Sequence, residues 1–88
     1  MYFVYILKCS DDSLYTGIAK DLEKRLKEHN NSELAAKYTR SRRPVQLVFS
    51  KEFETRSLAL KEEASIKKLS KQEKLKIINF NAVSNKKI

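Results

Sequence analysis

The chain opens with an almost unbroken run of apolar and aromatic residues, from position 2 to position 8. A short apolar run without polar alternation is typical of a strand that is covered on both faces, and it predicts the central strand of a sheet. Successive side chains of a strand point to opposite faces. Phe3, Tyr5 and Leu7 are therefore expected on one face, with the even-numbered residues on the other.

A polar turn and a second apolar segment follow this strand. Residues 10–13, Ser-Asp-Asp-Ser, form the turn, and residues 14–18 are expected to return as an antiparallel strand, which makes a β-hairpin. The number of residues in the turn decides whether Tyr5 and Tyr15 share a face. An even number places them on opposite faces, whereas an odd number or a bulge places them on the same face. The sequence leaves both registers open.

The next segment has the pattern of a helix. Asp21 is placed to cap a helix that runs to about residue 30 and buries a leucine stripe. Arg25 and His29 are neighbours on its surface because they are four residues apart. Both lie beside the leucine stripe, so we expect them at the rim where the helix meets the sheet.

The remaining chain predicts one strand and three helices. A short helix is expected to begin at Ser32 and Glu33, and a third strand is expected over residues 45–49 or slightly beyond. Thr55 is placed to cap a helix that runs to about residue 69. Ser70 predicts the start of a last helix, in which Glu73 stands at the spacing of a capping box.

This order of elements, ββα(α)βαα, predicts an α+β fold in which helices flank a three-stranded antiparallel sheet. One domain is expected over residues 1–80, because a chain of 88 residues supports a single core. Residues 81–88 are polar and basic, and we expect them to form a flexible tail.

Charge directs attention to polyanions. Nineteen Lys and Arg residues against eleven Asp and Glu residues give a net charge of +8 and a pI near 9.7. Such a surplus points first to nucleic acid and less often to an anionic membrane, although basic character also serves solubility alone. The single cysteine forms no internal disulfide, and neither a secretory signal nor a membrane-spanning run is recognisable. The expected compartment is therefore the cytoplasm.

The segment from residue 37 to residue 43 concentrates positive charge. It holds one aromatic residue and four basic ones, namely Lys37, Tyr38, Arg40, Arg42 and Arg43. We expect this loop to contact the phosphates of a nucleic acid, with Tyr38 either stacking on a base or lining a site. The alternative is a solvated charged loop. The lysines between positions 67 and 76 either contact nucleic acid as well or only form the solvent-exposed face of two helices.

Several short motifs together resemble the GIY-YIG nuclease domain. They are Val4-Tyr5-Ile6, Leu14-Tyr15-Thr16-Gly17, Arg25 with His29 four positions later, Lys37-Tyr38-Thr39, and Ala59-Leu60 followed by Glu63. More closely, they resemble the short stand-alone members of this family, a UPF0213-like group related to the structure-specific endonucleases of the Slx type. The similarity runs from Tyr2 to about Lys74.

This resemblance implies metal-dependent cleavage of a DNA phosphodiester by water. It implies that Tyr15 is the general base, that Tyr5 supports the site, and that Arg25 holds the scissile phosphate. His29 occupies a position that is His or Tyr in relatives. Relatives often carry a lysine directly after the motif glycine, whereas here the next basic residue is Lys20, which we count among the DNA-binding residues.

The same resemblance implies a single carboxylate ligand for Mg²⁺ or Mn²⁺. Helical periodicity does not distinguish Glu62 from Glu63, since both border apolar positions. The family spacing selects Glu63. Without the resemblance, Glu63 would be interpreted as half of an ion pair with Lys67, and His29 as a charged partner of the helix C terminus.

Three functions remain open from the sequence. The first is a DNA endonuclease that acts in DNA repair or recombination, with specificity for DNA structure as one option. The second is a nucleic-acid-binding module of the same fold that cleaves poorly or not at all. The third is a nuclease domain that needs a partner protein for target recognition, since a chain of 88 residues is short for a separate specificity domain.

Overall fold

The computed structural model of the chain describes residues 1–31 and 36–86, with side chains up to residue 80. Three strands and four helices lie in these ranges. They are β1 (Tyr2–Lys8), β2 (Leu14–Ala19), α1 (Leu22–Asn31), α2 (Lys37–Arg40), β3 (Gln46–Phe53), α3 (Arg56–Lys67) and α4 (Lys71–Lys86). The α+β class and the order ββα(α)βαα are confirmed.

The sheet has the strand order β2-β1-β3, and both pairings are antiparallel. The apolar first strand is therefore central, as its sequence predicts. Five residues, 9–13, connect β1 to β2, because Lys8 pairs with Leu14. This odd number sets the register that the sequence left open. Tyr5 pairs with Gly17, so Tyr5 and Tyr15 lie on the same face of the sheet.

Each face of the sheet is covered by different helices. Val4 and Ile6 belong to a cluster with Ala59 and Ile66 of α3, against which Ile77 and Ile78 of α4 also pack. On the opposite face, a second cluster is built from buried residues of the sheet and its connections, namely Tyr5, Leu7, Cys9 and Val45. The leucine stripe of α1, Leu22 and Leu26, packs against that second cluster. The alternating pattern of β1 thus directs each face to its own helical layer.

Local hydrogen bonds define where the helices begin. The Asp21 carboxylate accepts from the backbone N–H of Lys24 at 3.1 Å, and the Thr55 hydroxyl accepts from that of Leu58 at 3.2 Å. At the start of α4, Ser70 and Glu73 form the reciprocal pair of a capping box. All three predicted caps are present.

Some boundaries differ from those that the pattern predicts. β3 continues to Phe53, because it pairs with β1 along the full length of that strand. α3 ends at Lys67, and α4 continues past residue 80 to Lys86. The start of the short helix expected at Ser32 and Glu33 lies outside the described residues. The flexibility of residues 81–88 remains a prediction.

Within the described ranges, no helix combines the length and the apolar character needed to cross a membrane.

Candidate active site

Three aromatic side chains meet on the α1 face of the sheet. The ring centroids of Tyr5 and Tyr15 are 6.4 Å apart, and those of His29 lie 5.9 Å from Tyr5 and 5.3 Å from Tyr15. The hairpin register places the two tyrosines together, and the end of α1 brings His29 onto them. The structure thus joins three residues that the family resemblance selects.

Gly17 provides the space for this cluster. A Cβ atom at position 17 would lie 2.5 Å from the Tyr5 hydroxyl oxygen and 2.6 Å from Tyr5 Cζ. The ring of Tyr5 therefore crosses directly over the paired strand, where any side chain would obstruct it. The only glycine of the chain serves the packing of a tyrosine.

A chain of hydrogen bonds fixes the orientation of His29. The Thr39 hydroxyl donates to the Ala36 carbonyl at 3.1 Å and lies 2.7 Å from His29 Nδ1. Because that hydroxyl proton is committed to the carbonyl, Thr39 accepts from Nδ1–H. His29 Nε2 is then an acceptor, and Tyr5 donates its hydroxyl proton to it at 2.9 Å. Protons thus point in one direction, from Tyr5 through His29 and Thr39 to Ala36.

The burial of His29 makes it neutral. Its side chain is 0% exposed, and loss of hydration together with the positive charge of Arg25 lowers its pKa to about 4. The interpretation of His29 as a charged partner of the helix C terminus is therefore wrong. It acts as a neutral support that accepts from Tyr5.

Tyr5 is held as a proton donor. Burial raises the pKa of Tyr5 to about 12, although a hydrogen bond from Arg25 acts in the opposite direction. The negative charge of Glu63 adds to the increase. Arg25 itself donates to Glu28 at 2.9 Å, and its side chain is 27% exposed. The Tyr5 hydroxyl is therefore protonated at neutral pH and bound on both sides.

The hydroxyl of Tyr15, unlike that of Tyr5, is not held by hydrogen bonds to neighbouring side chains that the structure describes. It has no hydrogen-bond partner among the residues with described side chains. The ring of Tyr15 stacks on that of Tyr38, with centroids 6.0 Å apart and an interplanar angle of 24°. The Arg42 guanidinium lies 3.9 Å from the centroid of Tyr38. Two side chains already engage Tyr38, which favours a residue that lines the site over one that stacks on a base.

Tyr15 opens onto a cleft of about 240 Å³. The cleft lies at the edge strand β2 and is lined by Leu14, Tyr15, Thr16, Tyr38, Lys67 and Lys74. Side chains from both faces of β2 reach it, because an edge strand leaves its free side open. Tyr15 is therefore the one of the three clustered aromatic residues that lines this cleft.

Glu63 borders this cleft through an ion pair. Its carboxylate lies 3.4 Å from Lys67 Nζ, and its side chain is only 16% exposed. Glu62 pairs instead with Lys51 of β3 at 3.8 Å and is 33% exposed. The structure therefore distinguishes two neighbouring carboxylates that helical periodicity did not, and Glu63 is the one whose partner, Lys67, lines the cleft.

The side chains near Glu63 fit a metal that needs few protein ligands. Within the described part of the chain, no three His, Cys, Asp or Glu side chains come together as a metal-binding group. A lone carboxylate suits Mg²⁺ or Mn²⁺, since Mg²⁺ keeps several waters and takes other oxygen ligands from a substrate phosphate. Glu63 is the carboxylate that the family resemblance selects for such an ion, and its oxygen is paired with Lys67.

The expected DNA-binding residues divide into two groups. Arg43 donates to the carbonyl of His29 at 2.6 Å, and Arg42 donates to Asp11 at 3.0 Å and to the Tyr38 carbonyl at 2.8 Å. Lys37 and Arg40 are exposed on α2. The first group holds the site together, whereas the second faces solvent.

Lys20 lies away from the cleft at β2. It lines a separate cleft of about 300 Å³ between the end of β2 and the start of α1, together with Lys24 and Arg25. Arg25 therefore contacts Tyr5 on one side and opens to this second cleft on the other.

Sequence reasoning missed the structural partners of the site. Thr39 completes the hydrogen-bond chain from His29 and is 0% exposed, yet it appeared only as the last letter of the Lys37-Tyr38-Thr39 motif. Lys67, Lys74 and Thr16 line the cleft, although no spacing marks them as a group. They converge only because α3 and α4 pack beside β2.

The sequence of this chain is similar to a known domain family and to several known proteins. The GIY-YIG catalytic domain matches residues 1–76. A UPF0213 protein of Staphylococcus saprophyticus is 58% identical over 78 residues, which cover 89% of this chain and 94% of the relative. A UPF0213 protein of Syntrophus aciditrophicus is 54% identical and covers 90% of this chain and 91% of its own length.

Two solved structures share the fold. The solution NMR structure of a UPF0213 protein from Bacillus halodurans has a TM-score of 0.59 at 40% identity, covering 91% of this chain and 85% of its own. A solution NMR structure from E. faecalis has a TM-score of 0.61 at 43% identity, covering 92% and 86%. Their names state no activity. The matched domain is of nuclease type, and the chain belongs to the GIY-YIG family as a short stand-alone member of its UPF0213 group.

Proposed function

We propose that this protein is a divalent-metal-dependent endonuclease that hydrolyses phosphodiester bonds of DNA. One observation carries the proposal. The Tyr15 hydroxyl has no hydrogen-bond partner among the described side chains, and its ring packs against a neutral His29. Tyr15 also lines a cleft that the Glu63–Lys67 ion pair borders. A phenol, a cation and a carboxylate thus surround one accessible space on a strongly basic domain.

In the proposed reaction, a water oxygen attacks the phosphorus and the bond from phosphorus to the leaving oxygen breaks. Tyr15 takes the proton of the attacking water at its hydroxyl oxygen as its own hydroxyl proton passes to solvent. Tyr5 does not compete for that role, because burial raises its pKa to about 12 and its proton is bound by His29. Tyr5, His29 and Thr39 instead keep the ring of Tyr15 in place. Arg25 is partly exposed and hydrogen-bonds Tyr5, whose ring lies 6.4 Å from that of Tyr15. As the family resemblance implies, we assign it to the oxygens of the scissile phosphate, where a fixed positive charge stabilises the transition state.

Glu63 would hold the divalent metal ion. When bound, the metal supplies positive charge that stabilises the negative charge developing on the phosphate and the leaving oxygen. The Lys67 partner does not prevent this, because its side chain is 56% exposed and such surface ion pairs contribute little. A divalent cation and a phosphate can therefore replace the pair with stronger interactions.

Cleavage of branched, nicked and single-stranded DNA in Mg²⁺ or Mn²⁺ tests the proposal. We expect Tyr15→Phe and Glu63→Ala each to lower the cleavage rate by a factor of about 10² or more. Tyr2→Phe removes a hydroxyl from β1 outside the cleft, and Glu62→Ala removes the neighbouring carboxylate, so both controls should retain activity. Equal rates for Glu63→Ala and Glu62→Ala would refute the metal assignment.

The same screen separates the remaining functions. A preference for branched or nicked DNA would support a role in repair or recombination. A nucleic-acid-binding module is favoured by one observation, since the Glu63 carboxylate is already paired. It would bind DNA in a salt-sensitive manner without metal-dependent cleavage. Cleavage that appears only in the presence of a second protein would indicate a partner that supplies specificity.

A further inference from the structure

The cleft at β2 contains more basic and polar groups than the proposed chemistry uses. Lys67 ends α3, Lys74 lies in the first turns of α4, and Thr16 lies beside Tyr15 on β2. We propose that these three side chains form a subsite for a backbone phosphate of the bound DNA strand, distinct from the phosphate that is cleaved. This inference rests on the proposed function, because it assigns the position of the same strand.

The Thr16 hydroxyl is the first indication of a missing ligand. Thr16 is 4% exposed, and its oxygen is the one buried side-chain polar atom without a hydrogen-bond partner among the described residues. An unpaired buried hydroxyl is destabilising, and valine has the same shape without that cost. Thr16 also lines the cleft, which makes a ligand in the cleft the candidate acceptor for this hydroxyl proton.

Lys74 provides the second indication. It is half-buried on α4 and has no carboxylate partner among the residues whose side chains are described. A lysine that is partly removed from water without a counter-charge favours an anionic neighbour. Its position on the wall of the cleft offers that charge to a ligand rather than to the protein.

Lys67 lines the same cleft and is held there by an ion pair. Its ammonium group is 3.4 Å from the Glu63 carboxylate, which keeps the flexible side chain near the opening. A phosphate in the cleft would gain charge-assisted hydrogen bonds from both lysines. The subsite adjoins Tyr15, so a strand held there passes next to the proposed base.

Neighbouring lysines of the same helices provide matched controls. Lys68 and Lys76 are exposed and do not line the cleft. The double variants Lys67→Ala/Lys74→Ala and Lys68→Ala/Lys76→Ala remove the same charge from the same region. A difference in DNA affinity between the two double variants therefore reflects the position of the lysines and not the net charge.

The test is the binding of a fluorescein-labelled DNA duplex, measured by anisotropy in EDTA over a range of NaCl concentrations. We expect Lys67→Ala/Lys74→Ala to weaken binding by about tenfold or more and to reduce the slope of log affinity against log salt by about one. Lys68→Ala/Lys76→Ala should change affinity by less than about threefold. Equal losses in the two double variants would overturn the subsite.

Thr16→Val tests the hydroxyl separately. If it donates to a phosphate, the variant should bind DNA about tenfold more weakly while its thermal stability is retained or increased. Affinity equal to that of the unmodified chain would remove Thr16 from the subsite. Circular dichroism melting of each variant shows that the fold is present.

The two hypotheses fail in different ways. If the unmodified protein cleaves DNA but the two lysine pairs behave alike, the nuclease function stands and the subsite is wrong. If no DNA is cleaved with Mg²⁺ or Mn²⁺ and only the Lys67/Lys74 pair is needed for binding, the subsite stands as a DNA-binding site and the nuclease proposal is wrong.

Discussion

His29 shows how the role of one residue depends on its surroundings. Its position near the end of α1 is typical of a histidine that is charged and interacts with the helix dipole. Burial beneath the tyrosines, the charge of Arg25 and the bond to Thr39 make it neutral instead. As a neutral acceptor it retains the proton of Tyr5, which leaves Tyr15 as the tyrosine available to a ligand.

We expect this neutral state to make folding stability depend on pH. The unfolded His29 binds a proton near pH 6.5, whereas the folded one does so only near pH 4. Acid therefore favours the unfolded chain, and the free energy of unfolding should rise between pH 4 and pH 6.5, by on the order of 3 kcal/mol at most. Urea unfolding at several pH values measures this.

His29→Gln is the control for the pH effect, because glutamine stays neutral throughout this range. The difference in unfolding free energy between the two proteins should change between pH 4 and pH 6.5 and remain constant above it. Carboxylates titrate in both proteins and cancel in that difference. A constant difference across the whole range would contradict a low pKa for His29.

Gly17 carries a second prediction at the residue scale. Gly17→Ala should destabilise the fold by about 1–3 kcal/mol, because the new Cβ atom meets the hydroxyl and Cζ of Tyr5. Tyr5→Leu shortens the obstructing side chain, so the double variant should lose less stability than the sum of the two single changes. Strictly additive losses would show that the tyrosine ring is not the obstacle.

At the scale of elements, the connection from α2 to β3 has two functions. Arg43 donates to the carbonyls of His29 and Glu28 at the C-terminal end of α1, and Asn30 bonds both backbone groups of Val45. These contacts fasten the connection to the helix that carries Arg25 and His29. Arg40 faces solvent on the other side. In the basic segment, Arg43 therefore stabilises the fold, whereas Arg40 is available at the surface.

Two single substitutions separate these functions. Arg43→Gln should lower the free energy of unfolding by about 2 kcal/mol, since it removes charge-assisted bonds to helix carbonyls. Arg40→Gln should change stability by less than about 0.5 kcal/mol but reduce the salt slope of DNA binding by about one. Denaturant unfolding and DNA anisotropy measure the two effects. The reverse pattern would contradict the assignment.

At the scale of the whole molecule, one sheet separates two layers with different contents. The α1 face carries the tyrosines and His29, whereas the α3 face carries an apolar core and Glu63. Residues of both layers line the cleft at the edge strand β2. The candidate site is therefore assembled across the sheet edge, and α3 and α4 must be packed for it to exist.

The extent of α4 that this packing requires can be tested by truncation. A chain that ends at Phe80 should retain its unfolding midpoint, because Ile77 and Ile78 still cover the core. A chain that ends at Leu75 loses both isoleucines and should lose roughly 2–4 kcal/mol or fail to fold. Thermal unfolding compares them. A large loss in the longer chain would contradict the domain boundary at residue 80.

Local chemistry explains which features could be predicted. The caps at Asp21, Thr55 and Ser70 depend on side chains bonding to backbone within three residues, so the sequence alone contains them. The central position of β1 follows from its unbroken apolar run. Family membership follows from ordered motifs. Together these features were sufficient for the fold class and for a set of candidate residues.

Tertiary structure decided how the candidates relate to one another. The five-residue connection brought Tyr15 beside Tyr5, because one residue more or fewer would have turned it to the other face. Burial made His29 neutral, and a pKa reports the three-dimensional surroundings of a group. The packing of α3 and α4 beside β2 created the cleft. By itself the sequence determined the secondary-structure elements and the candidate residues, whereas contacts between distant residues determined which of those residues share a site.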